Sequence, residues 1–364
     1  MANRNLSSAK KAKNDEFYTQ YHDIEKEMNA YLEYNPDVFR DKTILLPCDD
    51  PEWSNFTRYF AQKFEALGLK KLISTSYAPN SKQTGLNLQP TLFELESPIF
   101  DEGKTFSNGK IFTITRDINS DARINIDDLE WSYLEGDGDF RSAEVTKLRD
   151  EADIIITNPP FSLFREFLEW MVEADKDFVI IGNMNAITYK EVFPLIKDNK
   201  MWLGVTRTGV GSMWFLVSDD APDKTGQKIE DGKKYQTVGN SAWFTNLEHG
   251  RRHEALTLMT TADNIKFSKE LNGKGYQRYD NYDAIEVPRV EVIPSDYRGA
   301  MGVPITFLGK YNPDQFEILD ANDYRLPHQK AKNYGLIKDA DGSVGGVKKY
   351  VRVLIRHKRG LNED

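Results

Sequence analysis

Asn158-Pro159-Pro160-Phe161 is the stretch of this chain whose residue types and spacing best suit chemistry. Asn158 carries an amide oxygen, a hydrogen-bond acceptor. Pro159 carries a main-chain carbonyl, a second acceptor. Two acceptors fixed side by side suit the two hydrogens of a planar exocyclic amine, and the Phe161 ring offers a face to stack on. The alternative is a strand-ending turn with Phe161 in the core, since short motifs recur by chance.

The flanking elements favour chemistry. Residues 153–156, Asp-Ile-Ile-Ile, read as a buried strand, a short β-branched run bounded by breakers. The two prolines stop it, and each holds the residue before it extended, so the turn is stiff. After Phe161 the period becomes helical, with Phe164, Phe167, Leu168 and Met171 on one face and Ser162 as the expected N-cap. The motif thus stands at the carboxyl end of a strand, where open α/β sheets bind ligands.

Three further stretches are candidate binding elements. Phe17-Tyr18-Thr19 precedes a helix expected over about 23–34. The turn Pro47-Cys48-Asp49-Asp50 follows a first strand at 42–46 and precedes a helix marked by Trp53, Phe56, Phe60, Phe64 and Leu67, with Gly68 as C-cap. A phosphate-binding first turn is glycine-rich so that backbone can approach the ligand. This turn has no glycine, and Asp49 and Asp50 suit a cationic ligand without phosphate; capping by Asp50 is the simpler alternative. The second strand, 71–77, ends without a carboxylate. Gly136-Asp137-Gly138-Asp139-Phe140-Arg141 is a turn by composition.

The chain has 364 residues, enough for one large domain or two, and 39% hydrophobic residues including 17 Tyr, 20 Phe and 6 Trp. Mean hydropathy is −0.60, with no long apolar run for a membrane span. The N-terminus is polar and basic rather than a secretory leader, so a cytoplasmic protein is expected. Cys48 is the single cysteine and the 5 histidines are scattered, so neither disulfide nor metal site is expected. Net charge is −9, not the global signature of a nucleic-acid binder. Basic residues do concentrate after residue 248, where Arg251, Arg252, Lys274 and Arg278 interleave with Tyr276, Tyr279 and Tyr282. Arg298 lies in a small-residue loop. Arg352 and Arg356 alternate with Val351, Val353 and Ile355 on a strand expected to turn its arginines outward. Further strands are expected at 177–182, ending at Asn183, and at 201–205 and 212–217. Trp243-Phe244 is expected to pair with Trp214-Phe215, a helix to run over about 188–196, and residues 219–235 to form a surface loop.

Asn14-Asp15-Glu16-Phe17-Tyr18-Thr19, Pro47-Cys48-Asp49-Asp50-Pro51-Glu52-Trp53-Ser54-Asn55-Phe56 and Asn158-Pro159-Pro160-Phe161-Ser162-Leu163-Phe164 together resemble the EcoRI-type adenine-specific DNA methyltransferases. The resemblance runs from about residue 11 to 320. It implies an α/β, Rossmann-like S-adenosylmethionine-dependent fold with a mostly parallel seven-stranded sheet over 15–247. A flexible arm, 1–14, would precede it, and a target-recognition region, 248–364, would follow. It implies N6-adenine methylation of a flipped base in duplex DNA by Asn158, Pro159, Pro160 and Phe161. Phe17, Tyr18, Thr19, Pro47, Cys48, Asp49 and Asp50 would bind S-adenosyl-L-methionine, with Asp139 and Phe140 on its adenine and the ribose left to Asp49, Asp50 or hydroxyls. Gln20 stands where the family has proline. A monomer is expected, with a restriction endonuclease as a possible functional counterpart. Action on RNA or a protein glutamine amide, or a non-catalytic DNA-binding role, remains open from sequence alone.

Overall fold

The computed structural model describes residues 19–49, 54–78, 95, 97–118, 124, 128–206, 213–217, 223, 226–237, 240–271, 274–320, 324, 335–337 and 342–358. Phe17, Tyr18, Asp50 and the 1–14 arm lie outside them. The chain divides into two compact units, Met1–Asn185 with Gly204–Leu247, and Ala186–Leu203 with Glu248–Asp364. Among the described residues no helix is long and apolar enough to cross a membrane.

Strands β1 (Thr43–Leu46), β2 (Lys71–Ser76), β3 (Lys110–Ile114), β4 (Glu130–Tyr133), β5 (Ile154–Thr157) and β6 (Asp177–Asn183) come first, followed by β7 (Trp202–Leu203) of the second unit. Back in the first unit are β8 (Trp214–Leu216), β9 (Gln227–Glu230), β10 (Lys233–Thr237) and β11 (Ser241–Thr245). The main sheet of the first unit runs β4-β3-β2-β1-β5-β6-β11. Its centre, β2-β1-β5-β6, is parallel, and β3, β4 and β11 pair antiparallel at the flanks. All four residues of β1 and of β5 are buried, as expected of parallel strands covered on both faces.

The helices explain that burial. On one face, α1 (Tyr21–Tyr34) and α2 (Asn55–Gln62) bring Ile24, Met28, Tyr31, Phe56 and Phe60 into a core with Ile44, Leu46, Ile154, Ile156 and Trp243. α3 (Phe64–Leu67) follows a break at Lys63, so the single helix expected from the apolar spacing is two. Gly68 does close it, with φ 64°. α4 (Ala143–Glu151) is capped by Ser142, whose hydroxyl accepts from Val145 N at 3.2 Å. α5 (Phe164–Val172) begins later than expected. Ser162 lies inside a 3-10 turn, Phe161–Leu163, and does not cap α5. Phe164 at its start packs on Phe244 of β11, with ring centroids 5.3 Å apart.

Two pairings differ from expectation. Trp243-Phe244 lies opposite Ile181 and Ile180 of β6, not opposite Trp214-Phe215. β8 instead joins β10, and β10 joins β9, so much of the expected 219–235 loop is a hairpin. A Gly226-to-Thr237 run of lysines, glutamines and acids has too little apolar alternation to announce a strand. The helix expected near 188–196 is a 3-10 turn, Met184–Thr188, and a short α6 (Phe193–Lys197).

In the second unit, α7 (Thr261–Phe267) precedes β12 (Ala284–Glu286), β13 (Ala300–Pro304), β14 (Phe316–Ile318) and β15 (Leu336–Ile337). β16 (Ser343–Val344) and β17 (Val347–Lys348) make a tight hairpin. β18 (Arg352–His357) pairs antiparallel with β13, β14 and β15. Its core holds Tyr279, Tyr282, Ala284, Ala300, Ile337 and Leu354. Leu354 is as buried as Val353 and Ile355, so β18 is covered on both faces rather than alternating.

Close packing at β6 generates a test. A Cβ on Gly182 would stand 2.3 Å from Phe164 Cε2. Gly182→Ala is expected to cost about 1–3 kcal/mol by overpacking. The readout is a lower urea midpoint at unchanged m-value.

Candidate active site

The site follows from strand order. The chain runs from β1 to β2 on one side and returns to β5 on the other, so β1 and β5 flank a switch point, and ligands bind outside the carboxyl ends there. The segments leaving that edge are Pro47-Cys48-Asp49 from β1, Tyr77 from β2 and Asn158 from β5.

Asp49 is the hub. It is 6% exposed. Its Oδ1 accepts from Ser54 Oγ at 2.7 Å and its Oδ2 accepts from Thr157 Oγ1 at 2.6 Å. Its N–H donates to Thr75 O at 3.0 Å, and its own carbonyl accepts from Ser74 Oγ. Ser54 also N-caps α2 by accepting from Phe56 N at 3.1 Å. Pro47 is buried, and Cys48 is exposed beside Asp49.

Asn158 is half-buried, and its Nδ2 makes a long contact of 3.4 Å to Thr19 Oγ1. Turning the amide's donor end to Thr19 aims its acceptor end elsewhere. Thr19 is itself held, since Asn55 Nδ2 donates to its carbonyl at 2.8 Å. Pro159 is buried, Pro160 and Phe161 are half-buried, and Phe161 packs against the α1–α2 core. The structure therefore brings Thr19, Asp49 and Asn158 together.

Asp139 stands at the end of β2 through a backbone approach only glycine permits. Gly138 has φ 85°, and a Cβ there would lie 2.3 Å from Ser76 O. Tyr77 OH donates to Asp139 Oδ2 at 3.0 Å. Arg141 grips both carboxylate oxygens, Nε to Oδ1 at 2.8 Å and Nη2 to Oδ2 at 2.5 Å, and reaches Glu166 Oε2 at 2.9 Å. Burial pushes the Asp139 carboxyl up, but the Arg141 hydrogen bonds and charge outweigh it and hold it below the ordinary aspartate value. Phe140 is 3% exposed, its ring packed edge-on against Phe167 and Trp170. It faces the core, not an open stacking site.

The basic candidates divide into two groups. Arg251 is half-buried, and Lys274, Arg278 and Arg298 are exposed. Arg278 pairs with Asp283. Arg252 is buried, with its guanidinium 3.7 Å from the Trp202 ring centroid and Nη2 on Asn199 Oδ1 at 3.0 Å. Arg352 Nη2 lies 2.7 Å from Glu286 Oε1, and Arg356 Nη2 lies 2.6 Å from Glu317 Oε1. The β18 arginines thus meet acids from β12 and β14, with Arg352 largely buried and Arg356 still partly open to solvent. Tyr279 and Tyr282 are buried, and Tyr276 donates to Val292 O at 2.6 Å. Among the described residues no His, Cys, Asp and Glu cluster could hold a metal ion.

Several site residues carried no assignment in the sequence. Asn55, Thr157, Tyr77 and Glu166 are polar residues whose partners are distant in sequence, whereas Ser54 and Arg141 hold the nearby Asp49 and Asp139. Glu27 is another. Fully buried on α1, it accepts from Val205 N at 2.8 Å and Thr206 N at 2.6 Å.

An Asn-Pro-Pro-Phe turn beside an acidic first turn, at the switch point of a sheet with a parallel centre, is the arrangement of an amino-methyltransferase, and comparison with known proteins narrows the class. Residues 5–358 match the family model described as adenine-specific methyltransferase EcoRI, and the chain belongs to that family. It is 42% identical to the Type II methyltransferase M.EcoRI of Escherichia coli, over 98% of this chain and 97% of that protein. It is 35% identical to the Type II methyltransferase M.MpnI of Mycoplasma pneumoniae, over 98% and 99%. With M.MgeORF184P of Mycoplasma genitalium the identity is also 35%, over 97% and 99%. No solved structure matches the chain.

Two outcomes follow from the ion pairs. Arg141→Met leaves Asp139 with burial but no guanidinium, so its carboxyl is expected to titrate above its wild-type position by ¹³C NMR. A depressed carboxyl stabilises above the unfolded value, about 3.9, and that stability is lost as pH falls through the folded value. The variant lacks that stabilisation at neutral pH, so it should lose less stability than wild type as pH falls below about 4, and the gap between the two should narrow on acidification. Arg352→Met strands Glu286, whose carboxyl burial already pushes up and Arg352 pulls back. A cost of about 3–5 kcal/mol is expected in urea unfolding. The deficit should shrink on acidification, because a raised carboxyl is penalised only where the unfolded chain is ionised, above about pH 4.

Proposed function

We propose that this protein transfers a methyl group from S-adenosylmethionine to N6 of an adenine in duplex DNA, at a specific sequence. The observation that carries the reading is the placement of Asn158 at the switch point, its amide oriented by Thr19 and its strand end fixed to the Asp49 turn. A Rossmann-like methyltransferase core accords with the parallel centre of the sheet. The second unit, with Arg251, Lys274 and Arg298 reaching its surface, supplies the target-recognition region.

The residues present fit that cofactor. Its reactive end is a sulfonium beside an ammonium, with no phosphate. Acid-bearing edges at Asp49 and Asp139, with no glycine-rich cradle in the first turn, suit such a ligand. Thr19, Pro47, Cys48 and Asp49 would hold its methionine end, and Asp139 with Tyr77 its nucleoside end. When bound, it supplies an activated methyl group.

The chain's own contribution is orientation. A base inside a duplex is out of reach, and flipping it out costs a few kcal/mol. Phe161 gives the everted ring a face. The Asn158 amide oxygen and the Pro159 carbonyl accept from the two N6 hydrogens. This draws the nitrogen lone pair out of conjugation with the ring and aims it at the methyl. Such positioning is worth up to about 7–11 kcal/mol. No covalent nucleophile takes part, and Cys48 is assigned none.

Asn158→Ala is expected to keep the wild-type unfolding midpoint within about 1 kcal/mol, the worth of one hydrogen bond, and to lose methyl transfer. The assay is labelled cofactor on DNA, RNA and protein in parallel, then sequencing that detects N6-methyladenine. Wild-type rates from Asn158→Ala, or transfer by the wild type to RNA or protein but not DNA, would overturn the reading.

A further inference from the structure

Thr157 precedes Asn158, and its side chain points away from the expected amine grip. It is fully buried at the end of an otherwise aliphatic strand. Valine would fill that place as well by size. The hydroxyl instead donates to Asp49 Oδ2 at 2.6 Å, across 108 residues of sequence. Asp49 Oδ1 takes the second hydroxyl, from Ser54 at 2.7 Å. One carboxylate thus clamps the end of β5, the turn after β1 and the start of α2. Burying a carboxylate is costly unless donors meet it, so these bonds hold the three segments in one register. A second strut runs parallel, from Asn55 of α2 to Thr19 and from Asn158 to the same Thr19.

We infer that Thr157 is a positioning residue for methyl transfer, acting through Asp49. It ties the amine grip of Asn158 to the first turn, so the two reacting partners are placed by one carboxylate. The inference rests on the proposed DNA-adenine activity and deepens it. Asp49 then serves by holding its neighbours in register as well as by its charge.

The test compares full-length Thr157→Val, Thr157→Ser, Asp49→Asn and Thr157→Val in Asp49→Asn, on unmethylated DNA carrying the target site. Thr157→Val is expected to lower kcat about 10–100-fold, the effect of a small misplacement, with KM for DNA unchanged. Thr157→Ser, which restores the hydroxyl, should recover most of the rate. In the Asp49→Asn background, Thr157→Val should cost far less than in the wild type, because residues acting through one bond are not additive. Unfolding midpoints taken alongside separate loss of fold from loss of rate. If Thr157→Val does not fold, Ser54→Gly serves, since glycine caps a helix tolerably but gives Asp49 no hydroxyl; about a tenfold loss of kcat is expected. Wild-type kcat in Thr157→Val, or in Ser54→Gly where that variant is used, with Asn158→Ala inactive, overturns this inference alone. Full additivity of Thr157→Val and Asp49→Asn also overturns it. An active Asn158→Ala overturns the functional reading beneath it.

Discussion

The structure depends on a buried carboxylate at the joint of two parallel strands. Asp49 leaves β1 where β5 lies beside it, in a place with almost no solvent. A charge there is tolerable only if hydrogen bonds replace its hydration. Ser54 and Thr157 offer hydroxyls, one to each oxygen of the carboxyl group. The first turn is thereby fixed in place against the end of β5 and the start of α2.

Much else at the edge is stiffness added to this joint. Two prolines limit what the chain can do after Asn158. The following helix is seated by Phe164, which fills the space Gly182 leaves open. Glycine at 138 lets the Asp139 loop lie on the end of β2. The Arg141 pair with Asp139 then ties that loop to Glu166 of α5. Each contact joins a segment leaving one strand to an element beyond another, so the edge behaves as a unit.

The strands and the central motif were legible because their signals are local. Ile154-Ile155-Ile156 and Val179-Ile180-Ile181 are β-branched runs ended by breakers, and both are strands. Asn-Pro-Pro-Phe reads directly as a rigid turn. What escaped depends on residues far apart. Trp243 and Phe244 alternate as a strand must, but alternation fixes a face and not a neighbour, and the partner is β6. The apolar spacing from Phe56 to Leu67 passes over Lys63 without registering the break in backbone. Arg352 and Arg356 occupy their expected strand, yet nothing local indicates that Glu286 and Glu317 wait on the neighbouring strands. Thr157 looked like one more β-branched residue, since its hydroxyl's purpose lies at Asp49.

Those arginine pairs bear on how an acidic protein handles a polyanion. With a net charge of −9, the whole-molecule field opposes DNA. The buried guanidinium of Arg252 and the paired ones of Arg352 and Arg356 do little against that field, because their charge is matched or enclosed. They shape the second unit instead. Arg352 ties β18 to β12, and Arg356 ties it to β14. Attraction to phosphate then falls to the cations that reach the surface, and it acts over about one Debye length, ~8–10 Å at physiological salt. A short-ranged attraction against an opposing background grips DNA only where shape brings those cations close. This division of labour suits an enzyme that must leave most of the duplex alone.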